Sequence, residues 1–136
     1  MIDIHELNIG DHITFIKKFN DEDLIKFSEI SLDKNPIHLD KNFAKKTRYK
    51  KQIVYGMLPA VIFSGIFGTK LPGPGCVYKS QFLNFKRPIF LGDEVYINII
   101  ITHIDIKTKN IKFKTSCTVK NKTVIDGEAT IFLPFR

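Results

Sequence analysis

"GMLPAVIFSGIFGTKLPG", residues 56–73, is apolar on nearly every side, and its reading decides the architecture. Pro59 is tolerated only in a first helical turn, where a missing N–H costs nothing, so the stretch predicts a helix starting near Met57 or Leu58. It should end near Lys70, before Pro72. A helix without a polar face has to be covered all round. Gly65 and Gly68 each lower its intrinsic helicity by about 1 kcal/mol, and the use predicted for them is to let another backbone approach closely.

The cover lies downstream. "CVYKSQFLNFK", "DEVYINIIITHIDI", "KNIKFKTSCTVKN" and "TVIDGEATIFLPF" are four long runs of strand character with turn-rich breaks between them. In the third, Ile111, Phe113, Thr115, Cys117 and Val119 alternate with Lys112, Lys114, Ser116 and Thr118, giving one buried and one wet face of an antiparallel strand. The second run is apolar on both faces near residues 99–101, which fits a central strand or an interface. Upstream, residues 8–18 alternate weakly and read as a first strand or entry loop. "FNDEDLIKFSEIS" reads as a helix capped by Asn20, with acids at 21, 22 and 23 at its positive end and Leu24, Phe27 and Ile30 on one face. "LDKNFAKKT" reads as a short helix capped by Asp40. The order strand, helix, loop, apolar helix and four-stranded meander predicts one α+β domain over residues 1–136, an antiparallel sheet wrapped around a long buried central helix.

Composition bounds the function. The chain of 136 residues is 43% hydrophobic and 26% charged, with 12 Phe and no Trp, an ordinary globular balance with a core built on Phe and Ile. Cys76 and Cys117 match no metal spacing and read as buried free thiols, which favours a reducing, cytoplasmic setting. "MIDIHELNIGD" holds acids and no apolar core, so no signal peptide is expected there. The apolar run from Gly56 is too short and Gly-rich to span a membrane. The net charge of +7 raises the question of an anionic partner. The basic residues are scattered, with one cluster, "KKTRYKK", at 45–51, and no nucleic-acid motif accompanies it. A solvated basic face is the first reading of that cluster; a contact with CoA or a carrier protein is the second.

The loop ahead of the apolar helix carries the chemistry. "SLDKNPIHLD", residues 31–40, brackets Asn35 and Pro36 between Asp33 and His38. Taken alone, Asp33 fits a turn cap and His38 a surface residue before the Asp40 helix. A carboxylate and an imidazole are also the two groups best suited to proton transfer near neutral pH. Asn35-Pro36 would hold their backbone so that the side chains converge, with Asn35 bonding locally to shape the turn. At the start of the apolar helix, Gly56 fits a simple bend; its N–H would also lie unpaired at the positive end of the dipole, where it could meet a negative charge, and Gly lets a ligand lie close. His5, His12 and His103 lack acidic partners at a telling spacing and read as structural.

These strings resemble the MaoC-like hydratases and dehydratases, which have the hot-dog fold. The (R)-specific enoyl-CoA hydratases carry Asp-x-Asn-Pro-x-His followed by a Gly-Met-Leu, here "DKNPIH" (33–38) and "YGML" (55–58), with similar strings continuing through "FSGIFGTKLPGPGCVY" and "FKRPIFLGDEV". The resemblance covers the chain from about residue 19 to its end. It implies reversible hydration of a trans-2-enoyl-CoA to an (R)-3-hydroxyacyl-CoA, with Asp33 and His38 holding one water between them and either one able to carry the proton to C2. It also implies that Ser64, in the family's "FSG" string, supports the site by bonding to the loop of Asp33 and His38, and that the chain forms at least a homodimer. No metal or redox cofactor is implied; the partner is an acyl-CoA or acyl-carrier-protein thioester, with no nucleic acid and no membrane. One departure stands out. The family's His before Gly-Met-Leu is Tyr55 here, grouped on that ground with the substrate-binding residues. Alternatives are a carrier-protein dehydratase, a hot-dog thioesterase and a non-catalytic acyl-thioester binding module.

Overall fold

A computed structural model describes residues 2–134; Met1, at the start of the stretch read as lacking a leader, and Phe135, at the end of the last strand-like run, lie outside it. Four helices and five strands carry the fold, after a short 3-10 turn at Ile4–Glu6. They are β1 (His12–Lys17), α1 (Asp21–Ser31), α2 (Pro36–Leu39), α3 (Lys41–Lys45), α4 (Met57–Thr69), β2 (Val77–Phe85), β3 (Val95–Asp105), β4 (Asn110–Val119) and β5 (Lys122–Phe132). The strands form a single antiparallel sheet in the order β1-β3-β4-β5-β2.

Alternation along β3 and β4 sets the inner face. Ile97 pairs with Cys117, Ile99 with Thr115 and Ile101 with Phe113, and all six are buried. Each such fully buried Ile or Phe contributes roughly 1.5–3 kcal/mol. β3 lies between β1 and β4, the central position its sequence predicted, and on its outer face Tyr96 and Ile100 are exposed in the single chain. The β4–β5 turn is two residues, Lys120 and Asn121, both at positive φ, the handedness that matches the twist of a tight hairpin.

Helix α1 begins with a reciprocal capping box: the Asn20 side chain accepts from the Asp23 N–H and the Asp23 carboxylate accepts from the Asn20 N–H. Its inner face is Leu24, Phe27 and Ser28; Ile30, predicted on that face, is exposed. Asp40 caps α3 as predicted, accepting from the N–H groups of Asn42 and Phe43.

Helix α4 runs over the predicted residues and lies across the sheet. Its Phe67 packs on Phe113 of β4 at 4.7 Å between ring centroids and edge-on to Tyr78 of β2 at 5.3 Å. It buries Pro59, Ala60, Phe63, Ile66 and Phe67. The expectation of burial all round is corrected on the other side, where Met57, Val61, Ser64 and Gly65 are exposed in the single chain. The close approach predicted at Gly65 and Gly68 is not made within the chain: apart from the helix's own neighbouring backbone, no atom of the described residues lies within 4 Å of where a Cβ would stand at either. One sheet covers one side of a helix, and the described residues supply no second layer for the other.

Candidate active site

The loop between α1 and α2 is built by its own polar side chains. Leu32 closes α1 in the left-handed conformation, with φ of 66°. The Asp33 N–H donates to Ser31 Oγ at 3.1 Å, and Asp33 Oδ1 accepts from the Asn35 N–H at 3.0 Å. Asn35 Oδ1 in turn accepts from the Ile37 N–H at 3.1 Å, capping α2 with Pro36 as its first residue. These successive turns lift the chain into a four-residue helix whose purpose is to bury one side chain, His38.

His38 is held from several directions. Its Nδ1 lies 2.7 Å from the Ile53 carbonyl. A carbonyl can only accept, so Nδ1 carries a proton and Nε2 is the nitrogen free to take one. The main chain is pinned as well: Gln52 Nε2 donates to the His38 carbonyl at 2.6 Å, and the Ile53 N–H donates to the Ile37 carbonyl at 3.3 Å. The segment that does this is itself fastened to the sheet side, with the Val54 N–H donating to the Ile89 carbonyl at 2.7 Å.

Tyr55 joins the two halves of the candidate pair. Its ring stacks on the His38 imidazole with centroids 3.9 Å apart and planes 31° from parallel. Its hydroxyl donates to the Asp33 carbonyl at 2.6 Å. Phe27 of α1 backs it at 4.9 Å. Burial and then the neighbouring Asp33 charge push the phenol above its ordinary value, so it remains a protonated donor at neutral pH. Tyr55 is only 2% exposed; it touches Asp33 and His38 and is not among the residues that line the cleft.

That cleft, of about 360 Å³, is lined by His38, Tyr49, Ile53, Gly56, Phe85 and Ile125 among others, with Lys86 and Arg87 at its edge. Its wall is mostly apolar, suited to an acyl chain. Gly56 precedes α4 with no side-chain cap, and its N–H donates to no group among the described residues. A Cβ at this position would stand 2.6 Å from Cδ1 of Phe85, so Gly keeps the phenyl ring close over the helix N-terminus. His38 and Gly56 therefore meet in one cleft. Asp33 is exposed on the adjoining loop, tied to the pair through Tyr55, and Asn35 spends its side chain on capping α2. Ser64 is exposed on the bare side of α4 and, among the described residues, makes no hydrogen bond to the loop of residues 33–38; the predicted support is not made within one chain. Phe85, Gln52 and Ile53 escaped the sequence reading because their contacts span 14 residues or more. Among the described residues, no three His, Cys, Asp or Glu side chains come together as a metal site would need.

The sheet and its crossing helix are those of the hot-dog fold. The structure of the (R)-hydratase from Aeromonas caviae involved in PHA biosynthesis matches with a TM-score of 0.91 at 36% identity, covering 94% of this chain and 98% of that one. The chain belongs to the MaoC-like domain family, whose model matches residues 7–126. It is 38% identical over 131 residues to an (R)-specific enoyl-CoA hydratase of Rhodospirillum rubrum, covering 96% of this chain and 91% of the relative. It is 36% identical over 129 residues to a 3-hydroxybutyryl-CoA dehydratase of Methylorubrum extorquens, covering 95% and 82%.

Proposed function

We propose that the protein is a hydro-lyase that adds water across trans-2-enoyl-CoA to give (R)-3-hydroxyacyl-CoA, and runs the reverse dehydration. The observation that carries the reading is His38, with Nδ1–H spent on the Ile53 carbonyl and Nε2 left free in a cleft that also holds the Gly56 N–H. In the forward direction a water held by Asp33 and His38 Nε2 attacks C3. Electrons move from the double bond into the thioester, and charge builds on its oxygen. The Gly56 N–H, at the positive end of α4, is the donor for that oxygen. The proton taken from water returns to C2 and completes the addition. No electrons are gained or lost overall, so the reaction calls for no redox cofactor, and a preorganised N–H can do what a Lewis acid would do at the oxygen.

The working unit is a homodimer or larger. The exposed side of α4 and the apolar residues Val77, Phe82 and Phe85 on β2, an edge strand of the sheet, support this reading, since a second copy would cover both. Cys76 and Cys117 are free thiols and no helix of the described residues is long and apolar enough to cross a membrane; both suit a cytoplasmic enzyme.

The test is loss of enoyl absorbance with crotonyl-CoA, with the product's stereochemistry determined. Asp33→Asn and His38→Ala should each lower turnover by at least about a hundredfold with the fold intact. Near-normal hydration in both variants would sink the assignment. Release of free thiol without hydration would make the protein a thioesterase instead.

A further inference from the structure

Beside the cleft lies a second cavity, of about 210 Å³, lined by Lys41, Lys45, Lys50, Lys51, Gln52 and Leu91. Four lysine side chains and no carboxylate line it, and all four lysines are exposed. None of the four is in a salt bridge among the described residues, where the ion pairs are Lys26–Glu22, Lys86–Asp126 and Lys112–Glu128. The acids nearest in sequence are occupied. Asp40 caps α3, and Asp93 accepts from the Phe90 N–H. Asp21 stands across an adjoining hollow that shares Lys41 and Gln52. Like charges gathered without a counter-ion repel one another, and an anion bound among them relieves that repulsion.

The cavity is wired to the candidate site. Tyr49 and Ile53 line the cleft; Lys50, Lys51 and Gln52, which lie between them in the chain, line the lysine cavity. Gln52 also holds the His38 carbonyl. The cations within the cleft itself are already committed, Lys86 to Asp126 and Arg87 Nη1 to the Thr123 carbonyl at 2.6 Å. Lys51 lies over the Phe90 ring at 4.4 Å, which holds its ammonium group in place.

We infer that this four-lysine cavity binds the phosphate groups of the coenzyme A half of the substrate and so makes the enzyme prefer CoA thioesters over shorter ones. The inference rests on the hydratase reading. Lysine is a point-charge phosphate ligand that needs no fixed fork geometry, and CoA carries a diphosphate and a 3′-phosphate at the far end of its pantetheine arm. With the thioester at Gly56 and His38, that arm leaves the cleft past Tyr49 and meets the lysines.

The experiment compares crotonyl-CoA with crotonyl-pantetheine, which lacks the phosphates, in wild type and in Lys45→Gln/Lys50→Gln. Binding of adenosine 3′,5′-bisphosphate is measured calorimetrically alongside. The ratio of kcat/KM for the CoA thioester to that for the pantetheine thioester should fall about tenfold in the variant, through KM, and the bisphosphate should bind about tenfold more weakly. Lys107→Gln/Lys114→Gln removes the same charge elsewhere and should leave the ratio within about twofold of wild type. An unchanged ratio in the Lys45/Lys50 variant, or an equal fall in the control, overturns the inference. So does a selective loss with crotonyl-acyl carrier protein while CoA is unaffected, which would assign the lysines to an acidic protein. If wild type hydrates neither thioester, the hydratase reading fails, and bisphosphate binding still decides the cavity: lysine-dependent binding supports it, and no binding at millimolar concentration refutes it.

Discussion

Replacing Tyr55 by Phe removes one oxygen and tests whether that oxygen holds the candidate pair together. The ring would still stack on His38 at 3.9 Å and pack on Phe27. What is lost is the 2.6 Å bond to the Asp33 carbonyl. Asp33 is exposed and water can reach its carbonyl, so the loss in stability is that of an ordinary hydrogen bond, about 0.5–1.5 kcal/mol. For a chain of this size that lowers Tm by roughly 2–6 °C. The kinetic effect should be the larger one. Asp33 keeps its turn bond to Asn35, but its backbone is no longer fixed against the imidazole, and an ångström of misplacement in a reacting constellation can cost about a hundredfold. Turnover of crotonyl-CoA should fall by roughly tenfold to a hundredfold with KM within about twofold, because the phenol lies outside the cleft. Thermal unfolding by circular dichroism and enoyl absorbance measure the two effects. Unchanged turnover would refute the bracing role. Turnover abolished at an unchanged Tm would refute it differently, by making the hydroxyl a participant in the chemistry. Tyr55→His keeps a ring with a hydrogen-bonding nitrogen and should keep activity within about tenfold; its complete loss would again make Tyr55 chemically essential.

Gly56→Ala places a methyl group 2.6 Å from the Phe85 ring. The half-exposed ring can swing aside, so stability should drop by only about 1–3 kcal/mol, but kcat/KM should fall about tenfold as the cleft over the α4 N-terminus is reshaped; unaltered kinetics would remove Gly56 from the site. Burial pushes the Cys117 thiol from 9.0 up to about 12 and the Tyr78 phenol from 10.0 up to about 12. Both groups are neutral when protonated, so the folded state binds their protons more tightly than the unfolded one. Their contribution to stability is complete below about pH 9 and declines as the pH rises toward 12, by up to about 1.4 kcal/mol per pH unit for each group. The urea midpoint should therefore be lower at pH 10.5 than at pH 8, and an equal midpoint would count against burial of these groups.

Most of the secondary structure was legible because it is encoded locally. Alternation at Ile111, Phe113, Thr115 and Cys117 is a property of one strand, and the α4 boundaries follow from Pro59 near its start and Pro72 beyond its end. Asn20 and Asp40 cap their helices with bonds spanning two or three residues. Helix α2 was not legible: it is four residues long, too short to show a period, and it exists because Asn35 and Pro36 start a turn that burial of His38 completes. Ile30 shares a helical face with Leu24 and Phe27 by periodicity, yet it borders an open hollow between α1 and α4, lined also by Phe27, Leu58 and Ile62, and stays exposed in the single chain.

The order of Asp33, His38 and Gly56 along the chain was enough, by resemblance, to name a family and a reaction. The physical link between Asp33 and His38 was not in that order. The intervening Pro36 starts the α2 turn. The brace that joins them is Tyr55, 22 residues from Asp33, and the proton on His38 Nδ1 is set by a carbonyl 15 residues away. Residue type and local spacing determine which groups are available and which backbone shape each segment prefers. Which carbonyl orients which imidazole, and which side of an apolar helix is left bare, depend on contacts between distant segments, and those exist only once the sheet has closed over α4.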